Sequence, residues 1–234
     1  MQLTRRSLAA LGAGAAAALI APGAAQADPG RWHLAARDDF RHGLRNWTAE
    51  LENGGTVEAR RGKLVVDVPA GATIWYRHLL KGPYAVEYTA VPVGAGGPND
   101  RVSDLNTFWG ARDARSPDDV FATARSGALA EYDHLKAYYV GFGGNYNATT
   151  RFRRYVGEPG NRPLIYDRTE PVLTANEPHR VRQVVDGGRI QYWINGSLLF
   201  DYTDPEPYDS GWFALRTTWS HLEVGGFKVW RRRP

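Results

Sequence analysis

No cysteine occurs anywhere in the 234-residue chain, which excludes disulfides, thiolate metal sites and cysteine nucleophiles and leaves packing to hold the fold. Lysine is nearly missing: of 29 basic residues, four are Lys and 25 are Arg. Beside abundant Ala and Gly, that ratio reflects coding-sequence base composition, so an arginine needs a positional reason before it counts as functional. Strong charge of either sign is lacking too; a net charge of +4 does not indicate a nucleic-acid or membrane-surface partner. No two of the six histidines fall at a helical metal-binding spacing, and HExxH, the GxSxG nucleophile elbow and a phosphate-binding glycine loop are absent. No metal or cofactor is expected, with a structural calcium ion left open.

The one long apolar run is N-terminal. Thr4-Arg5-Arg6-Ser7-Leu8 precedes an Ala/Gly/Leu stretch to Ile20, then Pro22 and Ala25-Gln26-Ala27. A charged start, a weakly apolar middle and a small-residue cleavage site read as an export signal over residues 1–27. The adjacent arginines fit the twin-arginine type, and an ordinary secretory signal with two chance arginines is the alternative. The run is too poor in large apolar residues, and too soon followed by a cleavage site, to favour a membrane anchor. The expected mature protein is extracellular and monomeric, starts near Asp28 and forms one domain over 28–234. Its net charge falls from +4 to +2.

From residue 30 onward, short apolar or alternating runs are punctuated by Gly, Pro, Asn and Asp, the pattern of many strands joined by turns. Strands are expected over 63–68, 73–79, 84–91, 105–110, 137–142, 150–156, 179–185, 189–194, 198–202, 212–218 and 222–230. In the first, Leu64, Val66 and Val68 share one face and Lys63 and Asp67 the other. Asp186-Gly187-Gly188 and Asn195-Gly196 supply hairpin turns, giving a three-stranded antiparallel meander. Ser116-Pro117-Asp118-Asp119 offers an N-cap, a proline at the first helical position and acids at the positive end, predicting one short helix to about Arg125. The fold class is all-β: a sandwich of two antiparallel sheets, with the C-terminal strand beside the N-terminal segment.

Residues 103–155 and 211–221 interleave Asn, Arg, Trp and Tyr where a plain sandwich would alternate aliphatic with Ser, Thr or Lys. Sugars surround an apolar ring face with hydroxyls, and aromatic planes flanked by amides and guanidiniums satisfy both. Asn106, Asn145, Asn147 and Arg153 are candidate substrate-binding residues, and Trp109, Trp193 and Trp219 candidate stacking platforms. The same aromatics would also serve as sandwich core, and Asn145 and Asn147, beside two glycines, as turn residues. Arg151, Arg153 and Arg154 form the densest basic cluster short of the C-terminus. Alternation sends Arg151 and Arg153 to one face with Tyr155, and Arg154 to the other with Phe152. A bidentate guanidinium suits a uronate carboxylate, although in so arginine-rich a chain a salt-bridged surface is the readier explanation of the cluster. His134 and His221 flank the aromatic segments as candidate acids or bases. Glu131 and Asp133 are too close and too common a pair to identify a glycosidase.

The order of these segments resembles the YesU-like group of concanavalin A-like proteins, over roughly residues 38–230. It is carried by Asp38-Asp39-Phe40, Gly43-Leu44-Arg45-Asn46-Trp47, Asp104-Leu105-Asn106-Thr107-Phe108-Trp109, the Tyr138-Tyr139 strand and His179-Arg180-Val181. The two hairpins, Gly211-Trp212-Phe213 and Phe227-Lys228-Val229-Trp230 complete it. The resemblance implies a concanavalin A-like jelly roll and a sugar-related role, without a defined reaction. The ExDxxE strand of the fold's retaining glucanases is absent. Three functions remain open. A lyase on an acidic glycan would use Arg151 and Arg216 on the carboxylate, with Tyr139, His134 or His221 moving the proton. A glycoside hydrolase is a variant of that reading, and a lectin-like binding protein would use the same face without catalysis. A structural protein would bury the aromatics as core.

Overall fold

The computed structural model describes residues 32–233, so the expected export signal lies outside the described residues. Fourteen strands follow in order: β1 (Trp32–Asp38), β2 (Trp47–Leu51), β3 (Thr56–Arg60), β4 (Lys63–Tyr76), β5 (Leu80–Lys81), β6 (Tyr84–Pro92) and β7 (Leu105–Asp113). Then come β8 (Leu135–Gly143), β9 (Thr149–Val156), β10 (Leu164–Arg168), β11 (His179–Asp186), β12 (Arg189–Ile194), β13 (Ser197–Thr203) and β14 (Ser210–Arg232). The hydrogen-bonded order β10-β9-β8-β7-β14-β6-β11-β12-β13 is antiparallel, with β1 to β5 attached through β4 and β14. β14 joins the two layers. Its first half pairs with β4 and β7, and its second half with β6 and β1. The change of partner is made by a bulge at Trp219 and a second register shift beside Gly226, whose φ of 62° a side chain would resist.

Between the layers, Leu64, Val66 and Val68 from β4 meet Trp109, Tyr138 and Phe152 from one sheet and Tyr88, Tyr192 and Phe200 from the other. Both hairpin turns fall where the sequence puts them, and β1 lies against the C-terminal strand. The all-β jelly-roll sandwich is thus the observed architecture.

Three local expectations differ. The pairs 63–68 with 73–79, and 212–218 with 222–230, are each one continuous strand. Pro69 is tolerated because it falls in the gap between the β3 and β2 pairings and opposite the Trp219 bulge, where no ladder donor is needed. Strands β1, β2, β3 and β10 lack a strong apolar alternation and escape sequence detection. The expected helix at 116–125 is a series of turns. The Asp119 carboxylate accepts from the Phe121 N–H at 2.9 Å and Arg125 Nη2 donates to the Val120 carbonyl at 2.8 Å, so side chains take the backbone groups a helix would use.

Candidate functional site

Antiparallel register builds one row of residues across the first sheet: Glu50, Thr73, Arg216, Asn106, Gly141, Arg151 and Asp167. Two residues along each strand lies a second row of Trp75, Ala214, Phe108, Tyr139 and Arg153. The period of two keeps both rows on one face, while Trp109, Tyr138 and Phe152 point into the core.

Much of this face is covered. The segment 113–134 folds back over it and seats Tyr132 beside Trp75 and Phe108, with ring centroids 6.4 and 5.6 Å away. Its anchor is Arg125, whose side chain is 1 % exposed and forms ion pairs with Glu50 at 3.0 Å and Asp113 at 3.1 Å. Glu50 Oε2 also accepts from Trp75 Nε1 at 2.9 Å and the Tyr132 hydroxyl at 2.6 Å. Burial disfavours the Asp113 carboxylate, but hydrogen bonds and charge from Arg115 and Arg125 prevail and hold it below its ordinary range.

What stays open is a cleft of about 440 Å³ over β7, β8 and β9. Asn106, Gly141 and Tyr139 form its floor, Arg151, Arg153 and Tyr155 one side, and Asp104, Gly144 and Asn145 the mouth. Leu129, Gly160 and Arg162 close the end under the covering segment. Gly141 makes the floor deep; a Cβ there would sit 3.4 Å from Asn106 Oδ1 and 3.5 Å from the Tyr139 hydroxyl. Asn106 Oδ1 is buried without a partner, an acceptor aimed at the floor. Tyr139 is half-buried; burial and then the neighbouring Tyr155 push its hydroxyl far above the ordinary tyrosine range, so it stands protonated. The cleft is basic. Its acidic wall residue, Asp104, is already paired with Arg101 at 2.5 Å. Arg151 pairs with Asp167 at 2.8 Å and Arg162 with Asp133 at 2.6 Å, while Arg153 Nη1 donates only to the Arg162 carbonyl at 2.8 Å among the described residues.

Five expected site residues therefore converge here: Asn106, Tyr139, Asn145, Arg151 and Arg153. Arg216 is next in the row but buried beneath the covering segment, where Nη1 donates to Thr73 Oγ1 at 2.7 Å and the Gly127 carbonyl at 2.9 Å. Others lie elsewhere. Trp109 is core, packed between Tyr138, Phe152 and Tyr192. Trp193 packs with Val184 and Trp230 on the outer face of the opposite layer. Trp219 stands on its bulge near the mouth. Asn147 uses both polar atoms on the backbone of Leu173, donating and accepting at 2.8 Å. His134 ends a 3₁₀ turn at the start of β8, away from the mouth. His221 lies beyond the Trp219 bulge with Nδ1 2.8 Å from Asp100. Glu131 is bound to Ser126 and Asp133 to Arg162, so neither carboxylate lines the cleft. Asp104, Leu129, Thr149 and Arg162 line it without having been singled out. Among the described residues no cluster of three His, Asp or Glu could hold a metal ion.

Comparison with known proteins gives one family match, to the domain of unknown function DUF6250 over residues 66–227. No curated protein matches the chain. Solved structures share the fold. A Bacillus subtilis protein of unknown function with a galectin-like fold is 18% identical over 86% of this chain and 97% of that one, with a TM-score of 0.69. The endo-beta-1,3-glucanase from Pyrococcus furiosus is 13% identical over 91% and 99%, at 0.58. The carbohydrate-binding module CBM66 from Bacillus subtilis is 12% identical over 80% and 96%, at 0.54.

Proposed function

The chain belongs to the DUF6250 family, and we propose that it is an exported carbohydrate-binding protein, kin to the YesU-like group, whose cleft receives an anionic sugar residue. One observation carries the reading: Arg153, which has no carboxylate partner among the described residues, meets Asn106, Asn145 and Tyr139 in a single hollow that Arg151 and Arg162 also line. The acids paired with those two, Asp167 and Asp133, do not line it, and the wall carboxylate Asp104 is paired with Arg101. Guanidiniums suit a carboxylate or sulfate, and the amides and phenol suit hydroxyls. The glucanase and the carbohydrate-binding module of like fold support a saccharide as the class of ligand. Export rests on the charged, apolar and small-residue pattern of residues 1–27.

Titration calorimetry with uronate-bearing and neutral oligosaccharides tests this. The acidic ligands should bind, more weakly as salt rises. Arg153→Ala should lower affinity about ten- to a hundredfold, the loss of roughly 1.5–3 kcal/mol from one charge-assisted contact. Equal binding of neutral and acidic ligands would contradict the reading.

A second reading, elimination on the uronate, is favoured by the Tyr139 hydroxyl on the cleft floor. It could deliver a proton to the departing O4 as a base takes the C5 proton, the C4–O4 bond breaks and the C4–C5 double bond forms, although the upward push of burial on its hydroxyl makes it a weaker acid than an ordinary tyrosine. Removal of the C5 proton needs a base, and both candidate imidazoles lie away from the cleft, so binding has the better support. An unsaturated product absorbing in the ultraviolet, lost in Tyr139→Phe, would establish the lyase. Hydrolysis has the least support, because Asp104 lacks a second carboxylate across the cleft.

A further inference from the structure

The cleft is blind in two directions. Along the strands it ends against Leu129 and Tyr155, where Asp133 ties Arg162 and the Gly160 N–H to the covering segment. Across the sheet it ends at β14. Arg216 is 2 % exposed and holds the Gly127 carbonyl, and a Cβ on Gly71 would lie only 2.6 Å from that same oxygen. No polymer passes between the segment and the sheet. At the outer edge the exposed Arg151–Asp167 ion pair leads to a second hollow whose acids, Asp167 and Glu170, disfavour an anionic chain, whereas the mouth at Asp104 and Asn145 offers an aromatic ring.

That ring is Tyr146, 78 % exposed. Asn145, Tyr146 and Asn147 have φ of 53°, 60° and 63°, three successive left-handed residues that each carry a Cβ. The bonds of Asn147 to the Leu173 backbone hold this turn. Beneath the ring lies Arg101, 4.9 Å from the Tyr146 centroid and 5.3 Å from that of Trp219. Arg101 is fixed in turn by Asp104 and by the carbonyls of Thr218 and Trp219. An aromatic ring with one face braced by a guanidinium and the other in water, beside a polar hollow, is a fixed platform for an apolar sugar face.

We propose that the cleft takes the terminal residue of an acidic glycan and that the next ring of the chain stacks on Tyr146. The proposal rests on the acidic-saccharide reading and adds chain-end recognition to it. Calorimetry would compare a uronate monosaccharide, the matching trisaccharide and the trisaccharide capped at either or both ends. The free trisaccharide should bind at least tenfold more tightly than the doubly capped one, with one of the two single caps responsible. Tyr146→Ala should weaken trisaccharide binding about five- to tenfold and leave the monosaccharide unchanged, while Tyr146→Phe should match the native protein. Equal binding of the doubly capped chain, or a Tyr146→Ala effect as large on the monosaccharide, would overturn chain-end recognition with stacking and leave the acidic reading standing. Failure of every acidic ligand to bind would overturn both.

Discussion

Replacing Arg125 by Met tests how the covering segment is held. The native side chain is 1 % exposed, lies between the Trp75 and Tyr132 rings at 5.3 and 5.6 Å, and joins Glu50 to Asp113. Methionine fills similar volume but orphans two inward-facing carboxylates, a change that costs about 3–5 kcal/mol when a buried pair is broken. The remaining donors moderate it. Glu50 keeps Trp75 Nε1 and the Tyr132 hydroxyl, and Asp113 keeps the Arg115 guanidinium at 2.7 and 2.9 Å. The expected loss is about 3 kcal/mol, a large share of the roughly 5–15 kcal/mol that stabilises a typical domain. Urea unfolding should show it as a lowered midpoint. Adding Glu50→Gln removes one orphaned charge and should restore at least about 1 kcal/mol, a coupling typical of residues in contact. A single variant within about 0.5 kcal/mol of the native protein, or a double variant whose losses simply add, would refute the anchor.

Three further outcomes follow from the same geometry. Burial, opposed by the Thr174 carbonyl and Glu177, holds the His179 imidazole below its ordinary value, and Nε2 accepts from the Thr174 N–H at 3.1 Å. The unfolded chain therefore binds the extra proton first. Stability should fall as pH drops below about 6.5 through the folded value, and His179→Gln should flatten that slope in chemical denaturation. The buried Tyr138 hydroxyl donates to Asp204 at 2.7 Å and accepts from the Tyr208 N–H at 3.0 Å, so Tyr138→Phe should cost about 1–3 kcal/mol in the same assay. Gly141→Ala places a methyl at ordinary contact distance on the cleft floor. Its melting temperature should stay near native while calorimetric affinity for an acidic saccharide drops severalfold; unchanged affinity would mean the floor is not the binding surface.

How much of this was legible in the sequence depended on whether one face of a strand meets water. In β4, Leu64, Val66 and Val68 alternate with Lys63 and Asp67, and the core face is plain. In β9 the same alternation put Arg151, Arg153 and Tyr155 together, as they are in the cleft. Strand β7 defeats the pattern because both its faces are buried, Trp109 between the layers and Phe108 under the covering segment, so no polar face marks the outside. Parity held a clue, since Asn106 and Trp109 are an odd number of residues apart and cannot share a face of a regular strand. Across the Trp219 bulge the core positions of β14 switch from Phe213 and Leu215 to Leu222 and Val224, which turns His221 to the outer face with Arg216. It stays out of the site because it lies farther along the strand, against Asp100. Arg162 and Leu129 reach the cleft from outside the strands, Arg162 through its ion pair with Asp133 and Leu129 on the 3₁₀ turn that Tyr132 seats against the sheet, placements that no local periodicity encodes.

The most direct measurement is a crystal structure of the protein with a short uronate oligosaccharide. The sugar carboxylate should lie within hydrogen-bonding distance of at least two of Arg151, Arg153 and Arg162, with a ring over Gly141. Density confined to the outer face around Trp193 and Trp230, with the cleft empty at saturating ligand, would contradict the account.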